Sequence, residues 1–181
     1  MNERFTLVSI FNNDNLSKIQ YNIKYINRNL CKVPFGKNVN NREEVDTLPY
    51  HFTLLAWDIS NKENVINKLS KLSFSKLRIL INDVKIRKGK ENSYVLYFNI
   101  EDNENLKLLQ KNIYKNLPCE KYNPNNFNFH ITIHFDKDYS KIILMKEKIL
   151  ESFIPFEIEV DTFGLYEIYP AKLLKIFKEE K

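Results

Sequence analysis

Two copies of one short pattern constrain the fold of this chain more than any other feature. The stretch YHFTLLAWD begins at Tyr50, and the stretch FHITIHFD begins at Phe129. Each contains a histidine, an apolar residue, a threonine and a second apolar residue, and the two histidines are His51 and His130. A pattern that recurs in this way indicates two related units within the chain.

The segments around the two copies occur in the same order. Each half predicts a strand, a helix, a loop, the His-Thr strand, a second helix and a long strand. The long strands begin at Leu77 and Phe156, which follow their histidines by the same number of positions. We therefore predict a single domain over residues 1–181 made of two pseudo-symmetric lobes, with sequence repeats at approximately 4–92 and 93–178.

The alternation of hairpins and amphipathic helices predicts the α+β class. We expect each lobe to be a mainly antiparallel sheet backed by helices. A pseudo-twofold axis would relate the two lobes and leave a central cleft between them. With 181 residues, of which 43% are hydrophobic, the chain is long enough to bury a core of this kind.

Two element boundaries are specific enough to be compared with a structure. The spacing of apolar residues in 16–30 predicts a helix, which Asp14 or Asn15 could cap. Phe156 begins a strand that is predicted to continue to the Tyr-Pro turn of the last hairpin.

Composition limits the classes of partner. A net charge of +5 and an isoelectric point near 9.0 favour an anionic partner, but this surplus is far below that of a chromatin-like protein. Phosphate-bearing substrates fit such a charge. No apolar run approaches the roughly 20 residues that cross a bilayer, and the N-terminal residues lack the features of a secretory signal. We expect a cytoplasmic protein that does not enter a membrane.

Strand geometry predicts which side chains of the first copy share a face. On an extended strand, residues two apart point to the same side. Phe52, Leu54 and Ala56 would then face the core. His51 and Thr53 would face the other side together.

The same rule applies to the second copy. The residues predicted on its core side are Phe129, Ile131, Ile133 and Phe135. The polar side would carry His130, Thr132 and His134. One His-x-Thr pair on a strand is usually a hydrogen-bonded, half-exposed pair without a function. Two pairs at equivalent points of a duplicated unit favour a shared site, because a pseudo-twofold axis would bring His51 opposite His130.

Two facing imidazoles suit phosphoryl chemistry. Histidine has an ordinary pKa of about 6.5, so near neutral pH one ring can accept a proton while the other donates one. The hydroxyls of Thr53 and Thr132 could donate hydrogen bonds to non-bridging phosphate oxygens. This chemistry requires no metal.

The motifs His51-Phe52-Thr53-Leu54 and His130-Ile131-Thr132-Ile133 resemble those of the 2H phosphoesterase superfamily. This superfamily includes the LigT-like 2′-5′ RNA ligases and the 2′,3′-cyclic nucleotide phosphodiesterases, which share a bilobal α+β fold. The opening ERFTLVSI also resembles the first strand of LigT-like proteins, and Phe127 resembles an aromatic residue often found before the second motif. The resemblance spans nearly the whole chain.

The resemblance implies roles for four residues. One of His51 and His130 would be the general base and the other the general acid, and the sequence leaves their order open. Thr53 and Thr132 would bind phosphate. The implied reactions are hydrolysis of 2′,3′-cyclic phosphates and cleavage or formation of 2′-5′ linkages. No metal or other cofactor is implied. The implied substrates are RNA ends or small nucleotides, and we expect a monomer with no obligate protein partner.

Several interpretations remain open at this stage. His134 could be a third phosphate contact or a buried residue with a backbone partner, and together with His51 and His130 it could instead bind zinc. Aromatic residues could stack on a base; the candidates are Tyr122, Phe127, Phe35, Tyr166 and Tyr169. The fold could also serve as a binding module for RNA ends or cyclic nucleotides without turnover, or act on a cyclic oligonucleotide signal.

Overall fold

The computed structural model describes residues 4–24, 48–58, 61–89, 92–119, 124, 127–168 and 171–179. Within these ranges the chain forms eight strands and four helices. In chain order they are β1 (Arg4–Ser9), α1 (Asn13–Asn22), β2 (Thr53–Asp58), α2 (Lys62–Leu69), β3 (Leu77–Lys88), β4 (Tyr94–Ile100), α3 (Glu104–Asn116), β5 (His130–Asp136), α4 (Tyr139–Leu150), β6 (Phe156–Val160), β7 (Thr162–Ile168) and β8 (Lys172–Lys178).

The strands form two four-stranded sheets. Their orders are β2-β1-β7-β8 and β5-β4-β3-β6, and the paired strands are antiparallel throughout. Helix α4 packs on β3, β4 and β5, α3 packs against β2, and α1 packs against β6. The predicted α+β class with two antiparallel, helix-backed sheets is therefore confirmed. Among the described residues, no helix has the length and apolar character needed to cross a membrane.

The strand predicted to start at Phe156 is divided into two. β6 pairs with β3 in the second sheet, whereas β7 pairs with β1 and β8 in the first sheet. The interruption is at Asp161, whose carbonyl oxygen accepts a hydrogen bond from the N–H of Glu179 at 3.2 Å. The prediction of one continuous strand was wrong because the chain changes sheets at this residue.

β3 and β6 pair with a register that relates the two halves. Ile79 lies opposite Ile158, and Leu77 lies opposite Val160. Ile79 and Ile158 have the same separation in sequence as the two motif histidines. Ile79 and Ile158 are thus equivalent positions of the two repeats that pair with each other, and the pairs on either side of them are related symmetrically. We infer that a local pseudo-twofold axis passes between these two isoleucines.

The two halves share one hydrophobic core. Its buried residues come from both sheets and from all four described helices. Two buried hydrogen bonds join α3 and its C-cap residue in the second half to β2 of the first. Gln110 donates to the carbonyl of Leu54 at 2.7 Å, and the indole of Trp57 donates to the carbonyl of the C-cap residue Leu117 at 2.9 Å. These bonds fix β2, the strand that carries the first motif.

Helix α1 begins earlier than the sequence predicts. Its N-cap is Asn12, whose side chain accepts a hydrogen bond from the N–H of Asn15 at 2.9 Å. The prediction of Asp14 or Asn15 as the cap was wrong, because the chain turns into the helix only a few residues after β1 and both residues already lie in the first turn. Residues 25–47, which include the end of the predicted helix, lie outside the described residues.

Candidate active site

The two motif segments are in contact. Phe52, which follows the first motif histidine, is fully buried, and its ring meets the ring of Phe129 edge-to-face with 6.3 Å between centroids. Phe129 directly precedes the second motif histidine. The fold therefore brings together two segments that are far apart in sequence.

Both motif histidines are held in the same way. Nδ1 of His51 lies 2.7 Å from the carbonyl oxygen of Pro49, and Nδ1 of His130 lies 2.8 Å from the carbonyl oxygen of Asn128. A carbonyl oxygen can only accept, so Nδ1 carries the hydrogen in each ring. In the neutral rings the lone pair is then on Nε2. Each imidazole is oriented by the backbone two residues before it.

The first four residues of each motif alternate in burial. His51 and Thr53 are half-buried, as are His130 and Thr132. The residues between and after them are buried. Each motif segment therefore presents a histidine and a threonine on one face, as the strand period of two predicts, although His51 lies two residues before the start of β2. We call this face of each sheet the site face.

The pKa values of both histidines lie below the ordinary value. Burial is the main cause for His51, and the hydrogen bond to Pro49 opposes it. For His130, burial, the charge of Arg87 and the charge of His51 lower the pKa to about 4, against the opposing bond to Asn128. Because the charge of His51 acts on His130, the two imidazoles lie within electrostatic range of each other. At neutral pH both are neutral.

Arg87 contacts the imidazole of His130, the second motif histidine. Its Nη2 is 2.9 Å from Nε2 of His130. A guanidinium group can only donate, so Nε2 is the acceptor in this contact. The same guanidinium carbon is 6.0 Å from the ring centroid of Tyr97, which in turn lies edge-on to the His130 ring at 5.2 Å. Sequence reasoning assigned no role to Arg87.

A β-bulge interrupts β5 after its threonine. Thr132 pairs with Tyr97, but the next pair joins His134 to Leu96, so Ile133 is an extra residue on β5. A bulge of this kind shifts the alternation of side chains by one position. The side chains before Ile133 and those after it therefore alternate between the two faces of the sheet in opposite order.

The bulge places His134 away from the other two polar residues. His134 is 6% exposed and lies on the core side, where its Nε2 is 3.6 Å from the carboxylate of Asp136. The expectation that it shares a face with His130 and Thr132 was wrong, because that expectation assumed an unbroken strand. Three imidazoles do not converge here. No group of three or more potential metal ligands occurs among the described residues.

The first motif contains the same bulge. Val8 pairs with Thr53 and Leu7 pairs with Leu55, so one residue of β2 is again extra. Leu55 is equivalent to His134, and it is fully buried. A comparison of the two copies could therefore have indicated from sequence that His134 occupies a core position.

The predicted aromatic candidates differ in their surroundings. Phe127 is partly buried, and its ring packs against Phe129 with 4.9 Å between centroids. Tyr166 is half-buried on β7. Tyr122, like Phe35 and Tyr169, lies outside the described residues. The predicted roles of Tyr122 and Phe127 in substrate binding therefore stay predictions.

Sequence comparison identifies a family in the second half of the chain. The family described as LigT like phosphoesterase matches residues 100–171, which include the second His-Thr motif. No curated protein sequence matches the chain.

Solved structures share the fold along the whole chain. E. coli LigT, in a complex with 3′-AMP, is 12% identical with a TM-score of 0.64, and the likeness covers 99% of each chain. TT0787 of Thermus thermophilus is 15% identical with a TM-score of 0.59, covering 97% of each chain. Usb1 of Kluyveromyces marxianus is 9% identical with a TM-score of 0.54, covering 94% of this chain and 97% of the other.

At such low identities the structural likeness concerns the fold, whereas the family match concerns the sequence around the second motif. The two findings are independent, and they agree. The second half of the chain is thus similar in sequence to the LigT like phosphoesterases, and the whole chain has a fold like that of E. coli LigT.

Proposed function

We propose that this chain is a metal-independent phosphodiesterase that hydrolyses 2′,3′-cyclic phosphates or cleaves or forms 2′-5′ linkages in RNA or oligonucleotides. The observation that carries the proposal is the matched pair of imidazoles. His51 and His130 each donate Nδ1–H to a backbone carbonyl, and the charge of one acts on the other. Such a pair can serve as base and acid on two sides of one phosphorus atom.

Hydrolysis of a cyclic phosphate needs two proton transfers. One histidine accepts a proton from water as the water oxygen forms a bond to phosphorus. The other histidine donates a proton to the ribose oxygen as its bond to phosphorus breaks, which leaves a phosphomonoester. His130 is the better candidate for the base, because burial and the charge of Arg87 lower its pKa to about 4 and so disfavour its protonated form. His51 would then be the acid, and it must first take up a proton at Nε2, because its Nδ1–H is already donated to the carbonyl of Pro49.

The threonines would hold the phosphate during these steps. Thr53 and Thr132 lie two residues after the histidines, on the same faces and half-buried. Their hydroxyls can donate to the non-bridging oxygens, where charge rearranges in the transition state. Loss of one such donor typically lowers kcat by about 10²–10³-fold.

A nucleotide substrate is supported by the comparisons and by charge. E. coli LigT forms complexes with 3′-AMP and with phosphate. The present chain carries a net charge of +5, which favours anionic ligands. We therefore propose RNA ends or small nucleotides as its substrates.

The test is turnover in the presence of EDTA. The protein is incubated with 2′,3′-cyclic AMP and, separately, with 2′-5′-linked oligoadenylate, and the products are identified by chromatography. We expect turnover by the wild type. His51→Ala and His130→Ala should each lose about 10²–10⁴-fold in rate, the usual contribution of a positioned acid or base.

A third histidine provides the matched control. His134→Leu removes an imidazole that lies on the core side and introduces the residue found at the equivalent position, Leu55. This variant should keep the wild-type rate and KM. Equal losses in all three histidine variants would contradict the proposal. Binding of 3′-AMP without any turnover would instead favour a binding module.

A further inference from the structure

The site faces of the two sheets carry different side chains. On each face the motif threonine begins a row of three residues that pair across three neighbouring strands. In the second sheet the row is Thr132, Tyr97 and Lys85. In the first sheet the row is Thr53, Val8 and Gly164. The second face is therefore polar and cationic at this level, and the first is apolar.

Two equivalent positions extend this difference. Arg87 lies two residues after Lys85, and Tyr166 lies two residues after Gly164, so each lies on the site face of its sheet. Arg87 and Tyr166 are also as far apart in sequence as the two motif histidines, so they are equivalent positions. Arg87 extends to Nε2 of His130. The ring of Tyr166 leans over Gly164, since a methyl group on that glycine would lie 2.8 Å from Cε2 of the tyrosine. Both side chains thus extend toward the motif side of their sheets, Arg87 to His130 and Tyr166 to Gly164.

We propose that Arg87 and Tyr166 fix the direction in which a nucleotide lies across the site, with Arg87 binding the phosphate and Tyr166 stacking on the base. The proposal rests on the proposed function in one respect, namely that the ligand is a nucleotide. It adds a direction of binding: the second sheet binds the phosphate of the nucleotide, and the base lies against the first sheet.

The chemistry of Arg87 suits a phosphate ligand. In the structure its guanidinium is exposed and donates to a neutral ring nitrogen. A phosphate oxygen is a stronger acceptor, because both partners are charged and the planar guanidinium can donate two parallel hydrogen bonds. Transfer of Arg87 to the phosphate also releases Nε2 of His130. Ligand binding would therefore free the lone pair that a general base needs.

The surroundings of Tyr166 suit a nucleobase. Its ring lies among apolar side chains, because the space above Gly164 is bounded by Ile10 and Leu173 as well as by the tyrosine itself. Burial raises the pKa of the Tyr166 hydroxyl, so the ring stays uncharged at neutral pH. An aromatic face of this kind stacks on any base, and each stacked base typically adds about 1–3 kcal/mol.

The experiment separates the two contacts by using two ligands. Isothermal titration calorimetry measures the affinity of the full chain for inorganic phosphate and for 3′-AMP. Arg87→Met should weaken both ligands by about tenfold or more, as expected for a lost charge-assisted hydrogen bond. Tyr166→Leu should leave phosphate affinity unchanged and weaken 3′-AMP by about tenfold, while Tyr166→Phe should bind as the wild type does.

Matched controls come from the opposite face of the second sheet. Lys88→Met also removes one positive charge, but Lys88 follows Arg87 directly on β3 and therefore points to the opposite face of the sheet. Tyr94→Leu removes a half-buried tyrosine that contacts Tyr139 rather than the site face. Both variants should retain wild-type affinities. Circular dichroism of each variant checks that the fold is intact.

The outcomes distinguish this proposal from the proposed function. The expected affinity pattern in a protein that turns over no cyclic phosphate would support the binding direction and contradict the enzymatic activity. Turnover by the wild type with unchanged phosphate affinity in Arg87→Met would overturn the binding direction alone. Equal weakening of phosphate and 3′-AMP by Tyr166→Leu would also overturn it, since a stacking residue acts only on the ligand that has a base.

Discussion

The depressed pKa of His130 predicts a specific loss of stability in acid. Its pKa is about 4 in the folded protein against an ordinary value of 6.5. The folded state therefore resists protonation more than the unfolded state does. The free energy of unfolding should be highest above pH 6.5, the pKa of this histidine in the unfolded chain. It should fall as the pH decreases from 6.5 to about 4, because in this pH range only the unfolded chain gains a proton.

The size of the effect follows from the two pKa values. Between about pH 7 and about pH 5, proton uptake by the unfolded state should cost roughly 2 kcal/mol from His130 alone, and the full loss by low pH should be about 3 kcal/mol. The pKa of His51 is also lowered, so it adds to the loss with the same sign. The contribution of His130 must therefore be isolated by substitution.

His130→Asn removes the titrating group and keeps a polar side chain. Urea unfolding can be followed by the fluorescence of Trp57, the single tryptophan of the chain, which is 1% exposed. We expect the wild type to lose about 2 kcal/mol more than His130→Asn between the two pH values. If the two proteins lose the same free energy within about 0.5 kcal/mol, the burial and charge that we assign to His130 are incorrect.

Two further substitutions test the core around the site. Burial would raise the pKa of Asp136, but the hydrogen bond and charge of Lys141, together with backbone hydrogen bonds from Asp138 and Lys137, outweigh burial and lower the pKa to about 2. The stabilising effect of this carboxylate is therefore present above 3.8 and is lost as the pH falls through about 2. Asp136→Asn should therefore reduce the free energy of unfolding at neutral pH by about 2 kcal/mol and flatten its decline in strong acid, as measured by urea unfolding. Gln110→Leu leaves the buried carbonyl of Leu54 without its donor, and the same assay should show a loss of about 1–3 kcal/mol; an unchanged midpoint would contradict the role of this bond.

Local rules and repetition explain what the sequence could predict. The facing of His51 and Thr53 depends only on the two-residue period of a strand, and the second copy repeats it. The constant offset between the two repeats also predicts equivalent positions beyond the motifs. These features need no knowledge of which strands are neighbours.

Pairing between strands explains what the sequence could not predict. In the bulge that buries His134, Leu96 and Tyr97 pair with residues two apart on β5, and the β5 sequence read by itself does not show this; only the comparison with Leu55 of the first motif indicates a core position. Arg87 was missed for a related reason, since its contact with His130 crosses the sheet between residues far apart in the chain. Asp161 interrupts a strand only because the chain changes sheets there.

The pairing of Ile79 with Ile158 has a consequence for the origin of the fold. When equivalent positions face each other in antiparallel register, the contact is isologous, the kind that two identical chains make about a twofold axis. A single-repeat ancestor could have formed a homodimer through this same strand, with one histidine supplied by each subunit. Fusion of two such genes would have joined the subunits and then allowed positions such as 87 and 166 to diverge.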